Sequence, residues 1–553
     1  MTVPAQVSTS APFTTHFSSR QEVPDDKPPL ISSTAKTLAM ILPWPALTDL
    51  FNIDSVRAVL LEHGFVPKTY KNSIWHTAGA WMLSAVLCSL MRNCSKEQMY
   101  YYYRFLCDLE GVEPVSFKTM SRAMKQEAAV SAAIRNMSLS LAGELSKEVY
   151  GNDLNTLGRQ LLDAVNKFAP EITRIMAGDG SDRPLAREKN EGETKGTTMP
   201  GRKAHSIMDL VLGVIVYYIM GSSVSNEREA LISMITNDPL AAGTLYLLDA
   251  GYLSKEVRAC IIRVGAYYLI KARKSINVPV VRAVEYDCYR DENGIYQIAD
   301  EGREVPLNGS MKVNELREKG LISYPVTGRD GYLTGKSYVL IRADGTKILM
   351  VFNPENKSFK KDETNSCWVY FETNLSDAFN VRIMSVLYRP RWQIEIKFLC
   401  HKSHGGMDCG KYLKHHSSDF FVSASMIADC IKMYIALMSS YCSESLESRK
   451  NAVLTGTPSK LNVDVSSKKT ASRLSLDALF YILCNMPTGS LVSPRARRHG
   501  TYRFRSIADA VKPGRVSSLA MSQGKSLRST IKAVESYAQK QAGTCTVNEC
   551  LPA

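Results

Sequence analysis

The stretch from residue 170 to 274 most constrains the fold of this chain, because it alternates apolar strands with a helix. EITRIMAGD is predicted as a strand that ends at Asp179, and KAHSIMDLVLGVIVYYIMG as two strands around Gly213. TLYLLDAGY then predicts a buried strand ending at Asp249, SKEVRACIIRVG a helix and AYYLIKAR another strand. Strands followed by a strand-helix-strand unit are typical of α/β proteins. We therefore predict an α/β core in this part of the chain.

The sequence on either side of this core divides into segments of different character. A Ser-, Thr- and Pro-rich stretch opens the chain, helical patterns follow it, and turn dipeptides such as Asn-Gly and Asp-Gly recur beyond the core as in β-hairpins. The predicted segments are a disordered tail (1–35), a helical N-terminal domain (36–165), the first part of the core (166–274), a β-rich insertion (275–380), the second part of the core (381–445) and a helical, basic C-terminal region (446–553). The C-terminal region is a candidate for dimer or DNA contacts.

The N-terminal helical domain contains a candidate DNA-binding unit. Ser95 and Gln98 fit the start of a helix, EGVEP at 110–114 breaks it, and SFKTMSRAMKQEA predicts a second helix. Helix, short turn and basic second helix resemble a helix-turn-helix. An ordinary helical bundle with a solvated basic face is the simpler interpretation. The basic and hydroxyl side chains at issue are Lys118, Thr119, Ser121, Arg122 and Lys125.

Composition favours a nucleic-acid partner and excludes a membrane protein. The formal net charge is +14 and the pI is near 9.0, which suits a polyanion. Thirteen scattered cysteines form no disulfide framework, so a reducing compartment is expected. The N-terminus lacks the pattern of a signal peptide, and the longest apolar runs are shorter than the ~20 residues of a spanning helix. We expect a cytoplasmic, nucleoid-associated protein.

Two aspartates stand at predicted strand ends, each beside glycine. Asp179 lies in AGDGS and Asp249 in LLDAGY. Phosphodiester cleavage with two metal ions needs carboxylates from separate elements at one point, and strand ends of an α/β sheet provide such platforms. Either aspartate alone could instead cap the following turn.

A third element, LYRPRWQIEIKFLCHK, carries polar residues at helical spacing. Tyr388, Arg391, Glu395 and Lys402 have offsets of 0, 3, 7 and 14, which align on one helical face. Pro390 suits a first helical turn, so Tyr388 is predicted just before the helix proper. A carboxylate flanked by Arg, Lys and Tyr suits a metal beside phosphates, whereas the alternative is a solvated salt-bridge stripe.

The pattern Tyr-(2)-Arg-(3)-Glu-(6)-Lys resembles the signature of DDE transposases of bacterial insertion sequences, the insertion-sequence-four family. AGDGS and LLDAGY are similar to the first and second aspartate motifs of that family, and the resemblance covers about 170–440, or half the chain. It implies a ribonuclease-H-like catalytic core interrupted by the β-rich insertion. Ala250 stands where the second motif usually has Arg, and Asp182 competes with Asp179 as the first ligand.

The resemblance also implies the chemistry. Asp179, Asp249 and Glu395 would hold two Mg²⁺ or Mn²⁺ ions per active site, with Asp179 bridging both. Tyr388 and the two basic residues of the signature, Arg391 and Lys402, would bind DNA phosphates. The protein would cut and join double-stranded DNA at inverted repeats as a cut-and-paste transposase, acting as a homodimer on paired ends. The alternatives are a catalytically silent, transposase-derived DNA-binding protein and a metal-dependent nuclease without strand transfer.

Three further features have two interpretations each. Related enzymes flip a base during cleavage, so Trp368 in the insertion is a candidate stacking residue, although packing in the β core is the simpler interpretation. The four residues Cys400, His404, Cys409 and His415 match no recognisable zinc-site spacing. A basic strand end could bind DNA phosphates or face solvent, and it consists of Lys271, Arg273 and Lys274.

Overall fold

The computed structural model describes the chain in thirteen stretches. They are 44–68, 73–90, 95–151, 157–184, 201–222, 225–273, 276–291, 296–327, 333–353, 367–403, 407, 416–434 and 518–548. The predicted tail at 1–35 and most of the basic C-terminal region lie outside the described residues.

The N-terminal part is helical, as its pattern predicted. Ser95 caps one helix with its hydroxyl 3.1 Å from the backbone N–H of Gln98, and Gly111 ends that helix at φ 68°. The predicted second helix is shorter than expected, because it ends at Ala123 and a longer helix begins at Glu127. The helices are Pro45–Leu50, Ile53–Glu62, Ala78–Leu90, Lys96–Glu110, Phe117–Ala123, Glu127–Gly151 and Leu157–Asn166.

The predicted α/β core is confirmed as helices around a mixed sheet of 11 strands in the described residues. Its first strands follow the order β3-β2-β1-β4-β5, with β2 antiparallel to β1 and β3, and β4 parallel to β1 and β5. These strands are β1 (Arg174–Pro184), β2 (Gly201–Asp209), β3 (Val214–Ser222), β4 (Thr244–Leu248) and β5 (Tyr267–Ala272). The helices between them are Glu227–Thr236 and Lys255–Arg263.

The prediction that the first strand ends at Asp179 was wrong. Strand β1 continues to Pro184, because its pairing with β2 extends from Met176–Asp209 to Pro184–Gly201. Its pairing with β4, in contrast, ends at Gly178. Asp179 therefore lies just beyond the end of the pairing between β1 and β4, where β1 is still paired with β2.

The β-rich insertion joins the same sheet. Strand β15 pairs antiparallel with β5, and β14, β13 and β7 continue outward from it. The insertion also has its own apolar cluster, which includes Val280, Tyr338 and Trp368. Its strands are β6 (Pro279–Val280), β7 (Arg282–Arg290), β8 (Tyr296–Ile298), β9 (Arg303–Val305), β10 (Met311–Lys312), β11 (Val326–Thr327), β12 (Leu333–Thr334), β13 (Lys336–Ile341), β14 (Lys347–Phe352) and β15 (Trp368–Thr373), and its short helix is Val313–Glu318.

Helices return after the insertion and pack on the first part of the sheet. A helix at Val381–Leu387 leads through a 3₁₀ turn at Arg389–Arg391 into the glutamate helix, Trp392–Ser403. Residues 416–434 form a helix whose side chains are buried from 417 onward, and Ser518–Asn548 forms the last helix. None of the helices in the described stretches is long and apolar enough to cross a membrane.

Candidate active site

The two aspartates lie side by side on neighbouring parallel strands. Gly178 of β1 pairs with Leu248 of β4, and Asp179 and Asp249 directly follow these two residues. Successive residues of a strand point to opposite faces of the sheet, so the two aspartates, each one position after a paired residue, point to the same face. The parallel register thus brings residues 70 positions apart in sequence to one point at the end of β4.

Arg391 connects Asp179 with the glutamate helix. Its Nη1 lies 3.5 Å from Oδ2 of Asp179, and its Nη2 forms an ion pair with Oε1 of Glu395. The guanidinium side chain is only 9% exposed, while the side chains of Asp179 and Glu395 are 24% and 30% exposed. A nearly buried cation therefore lies between two partly accessible carboxylates.

The carboxylate of Asp179 has a strongly perturbed acidity. Burial is the main cause that raises its pKa to about 6. The backbone N–H of Gly180 and the charge of Arg391 act in the opposite direction and lower the pKa. The negative charges of Glu395 and Asp249 raise the pKa further. The site therefore holds more negative charge than its single close arginine neutralises, which favours a cation as ligand.

Tyr388 supports the backbone beside Asp249. Its hydroxyl donates a hydrogen bond to the carbonyl oxygen of Leu248 at 3.1 Å, and burial raises the pKa of the phenol. The ring lies against Phe371, with centroids 4.8 Å apart, and Arg391 lies over its other side at 5.7 Å. The residue precedes the glutamate helix, as Pro390 predicted.

The donor set of the site fits a divalent metal ion, but its side chains are not gathered around one point. Carboxylate oxygens are the ligands that Mg²⁺ and Mn²⁺ prefer. Within the described stretches, no three His, Cys, Asp or Glu side chains stand close enough to hold a metal ion. Arg391 takes the position between Asp179 and Glu395, so binding of a metal ion requires these side chains to rotate.

Residues 171–412 match the family model of the transposase DDE domain. The match contains all three carboxylates and the insertion, and it spans less than half of the chain. It supports a transposase that acts on DNA, and the domain implies a ribonuclease-H-like fold. No curated protein matches the chain.

Within the matched segment the structure distinguishes Asp179 from Asp182. The side chain of Asp182 is 68% exposed and lies 4.0 Å from Nζ of Lys203. Asp182 is three positions after Asp179 on β1, so the two side chains point to opposite faces of the sheet. The glutamate helix contacts the Asp179 side through Arg391. The geometry therefore brings Asp179, and not Asp182, together with Glu395.

Lys402 lies two helical turns beyond Glu395 on the glutamate helix and is partly exposed. A spacing of seven residues places it on the same side of the helix as Glu395. Its ammonium group is therefore available to solvent near the carboxylates, whereas the guanidinium of Arg391 is bound within the site.

The two tryptophans near the site have opposite environments. Trp368 is 0% exposed, and its Nε1 donates to the carbonyl oxygen of Lys336 at 2.9 Å, which corresponds to the packing alternative and leaves no face for a base. Trp392, the first residue of the glutamate helix, is 56% exposed. The sequence interpretation overlooked it, although helical spacing from Glu395 places Trp392 toward the same side.

Two residues from the helix at Glu227–Thr236 also approach the site and were not predicted. Glu227 forms an ion pair with Lys203, whose side chain lies over Gly180. Arg228 donates from Nε to the carbonyl oxygen of Gly251 at 2.9 Å, just beyond Ala250. Neither position stands at a strand end or in a recognisable motif, so only the fold reveals them.

Two weaker groups from the sequence lie wholly or partly outside the described residues. The side chains of the four Cys and His residues considered for zinc lie outside the described set. At the basic strand end, Lys271 and Arg273 are exposed, while Lys274 lies outside the described residues.

Proposed function

We propose that this protein is a cut-and-paste DNA transposase of the insertion-sequence-four type. It would hydrolyse phosphodiester bonds at transposon ends and join the freed 3′ ends to target DNA. The observation that carries the proposal is that the parallel register sets Asp249 beside Asp179 and that Arg391 links Asp179 to Glu395, inside the segment that matches the DDE domain.

In this proposal Asp179, Asp249 and Glu395 hold two Mg²⁺ or Mn²⁺ ions. These ions, when bound, stabilise the attacking and leaving oxygens of the phosphodiester. Arg391, which contacts both Asp179 and Glu395, would bind a DNA phosphate through two N–H groups of its guanidinium. Lys402 adds a point charge on the exposed side of the same helix.

Trp392 takes the base-stacking role that the sequence suggested for Trp368. Its indole is exposed on the glutamate helix, within one turn of Glu395. Base-aromatic stacking contributes about 1–3 kcal/mol per base and does not depend on the sequence of the DNA. Tyr388 acts on the backbone of Leu248 and so fixes the turn that carries Asp249.

The partner in this proposal is double-stranded DNA, with a homodimer pairing two ends. Among the basic residues exposed outside the site are Lys118, Arg122 and Lys125, on and just beyond the short Phe117–Ala123 helix. They suit backbone contacts with DNA, which position a protein without reading sequence. We expect a cytoplasmic, nucleoid-associated protein.

The decisive experiment is a cleavage and joining assay on DNA that flanks the gene and contains its imperfect inverted repeats. Wild-type protein with Mg²⁺ or Mn²⁺ is expected to nick at the repeat and to form joined products. Glu395→Gln should bind the same DNA and not cut it, while the matched control Asp182→Asn should cut like wild type. Full cutting by Glu395→Gln would refute the proposal.

A catalytically silent DNA-binding protein is the second candidate, and the position of Arg391 between two carboxylates favours it. Its signature in the same assay is repeat-specific binding without nicks in either metal. A metal-dependent nuclease would nick and give no joined products.

A further inference from the structure

A buried cluster of charged side chains lies on the back of the glutamate helix, away from the carboxylates. Lys397 and His401 are one turn apart and are 2% and 0% exposed. Lys397 follows Glu395 by two residues, or about 200° around the helix axis, so the two side chains point in nearly opposite directions. The helix thus has one polar side toward the site and one toward the protein interior.

Asp429 of the helix 416–434 binds both residues. Nζ of Lys397 donates to its Oδ1 at 2.7 Å, and Nε2 of His401 lies 3.2 Å from its Oδ2. Burial alone would raise the pKa of Asp429, but the ammonium group of Lys397 and the contact with His401 outweigh it and hold the pKa at about 2. The carboxylate is therefore ionised, fully enclosed and bound at both oxygens.

The same helix is tied to the strand next to Asp179. Asp419 forms an ion pair with Arg202 of β2, and Nε of that arginine lies 3.1 Å from its Oδ1. Strand β2 pairs with β1 at Ser206–Asp179. Asp419 and Asp429 are ten residues, or about 15 Å, apart along the helix. One rigid helix thus connects the strand of the first aspartate with the helix of the glutamate.

Such a buried pair is not explained by stability alone. Removing one partner of a buried ion pair lowers the stability of a protein. Replacing both partners by apolar side chains of similar volume is often neutral or stabilising, because the two charges no longer have to give up their hydration on folding. A hydrogen bond from Lys397 and a close contact of His401 with the second oxygen of the same carboxylate do, however, fix direction, whereas apolar contacts let a helix rotate or slide more easily. Glu395 needs such precision, since metal ligands tolerate errors of only about 0.5 Å.

We propose that Asp429, through Lys397 and His401, is a positioning residue that sets the rotation and height of the glutamate helix and so directs Glu395 toward Asp179 and Asp249. The proposal rests on the proposed function, because it concerns the approach of Glu395 to the metal site. It predicts that metal affinity depends on a cluster that no metal ion or DNA touches.

The test compares two double variants that both remove the charges. Lys397→Gln with Asp429→Asn keeps a hydrogen bond between the helices, whereas Lys397→Met with Asp429→Leu keeps only the volume. Mn²⁺ affinity is measured by electron paramagnetic resonance without DNA, and kcat and KM are measured for nicking. The first variant is expected to stay within about threefold of wild type, and the second to lose at least about tenfold in Mn²⁺ affinity and kcat with KM unchanged.

The matched control is another ion pair with a buried carboxylate, Arg258–Glu372, which joins the helix Lys255–Arg263 to β15 away from the glutamate helix. Arg258→Met with Glu372→Leu should leave Mn²⁺ affinity and kcat as in wild type. Equal Mn²⁺ affinity in the two variants of the Lys397–Asp429 pair would overturn the positioning role.

Two further outcomes keep the test decisive. If the Met–Leu variant does not fold, Asp429→Asn alone is expected to lower Mn²⁺ affinity at least about threefold with DNA affinity unchanged, and unchanged Mn²⁺ affinity then overturns the proposal. Wild-type protein that binds Mn²⁺ with the predicted dependence on Asp429 but never cuts DNA would contradict the proposed function and support the positioning role.

Discussion

Replacing Asp179 by Asn should stabilise the metal-free protein at neutral pH. The carboxylate is held beside Glu395 and Asp249 in a largely buried position, and its pKa is raised from 3.8 to about 6. The folded state therefore binds the proton more tightly than the unfolded chain does. Stability is highest below the unfolded pKa, falls as pH rises from about 4 to 6, and is constant above that range.

The size of the effect follows from this shift. Each pKa unit corresponds to about 1.4 kcal/mol, so the raised pKa costs up to about 3 kcal/mol of unfolding free energy at pH 7.5. Asparagine carries no charge, and its Oδ1 can still accept the hydrogen bond that Gly180 N–H now donates to Asp179 at 2.7 Å. The shift already includes the attraction to Arg391, and the side chain is 24% exposed, so solvent screening makes about 3 kcal/mol an upper limit.

The assay is thermal unfolding of both proteins in EDTA at pH 7.5, 5 and 4. The melting temperature of Asp179→Asn is expected to exceed that of wild type at pH 7.5, with the free-energy gain falling by about half at pH 5 and nearly vanishing at pH 4. Added Mn²⁺ should stabilise wild type and not the variant. Asp182→Asn, an exposed carboxylate on the other face, is the control.

A lower melting temperature for Asp179→Asn at pH 7.5, or a gain that does not depend on pH, would refute this reasoning. The first result would mean that Arg391 stabilises the carboxylate by more than burial and the neighbouring charges destabilise it. The second would mean that the effect of the substitution comes from packing.

Three further predictions concern single side chains. Trp392→Ala should lower the nicking rate with little change in melting temperature, because its indole is 56% exposed. Trp368→Ala should instead lower the free energy of unfolding by about 3–5 kcal/mol, because that ring is fully buried. Equal effects of the two substitutions on the nicking rate would contradict the assignment of base stacking to Trp392. Tyr388→Phe should lose about 1 kcal/mol in thermal or urea unfolding, because it removes the hydrogen bond to Leu248; no change would mean that this bond does not hold the turn. Gly158→Ala should give little soluble protein on expression, because a Cβ there would lie 1.9 Å from a backbone oxygen; normal yield and melting temperature would contradict this packing.

The candidate site residues could be named from the sequence because the patterns that mark them are local. Apolar runs that end in Asp249 and the helical spacing of Arg391 and Glu395 are visible without a fold. The end of β1 was missed, since the pairing of Pro184 with β2 depends on a strand that lies 17 residues further along the chain. Local patterns show where a strand can form, and pairing partners decide how far it continues.

The buried Asp429 cluster and the approach of Glu227 could not be predicted in the same way. Lys397 and His401 look like surface residues of an amphipathic helix, and only the packing of helix 416–434 against them makes them interior. Trp368 and Trp392 show the same limit, because residue type alone does not tell which aromatic ring is covered.

The continuous sheet determines which parts of this protein can be exchanged. Strand β5 has β4 on one side and β15, a strand of the insertion, on the other. Cutting out residues 275–380 would leave β5 as a bare edge with a row of unpaired N–H and C=O groups, which invites pairing between chains and aggregation. The insertion therefore cannot simply be removed, and a shortened form of this protein would have to keep at least a hairpin against β5.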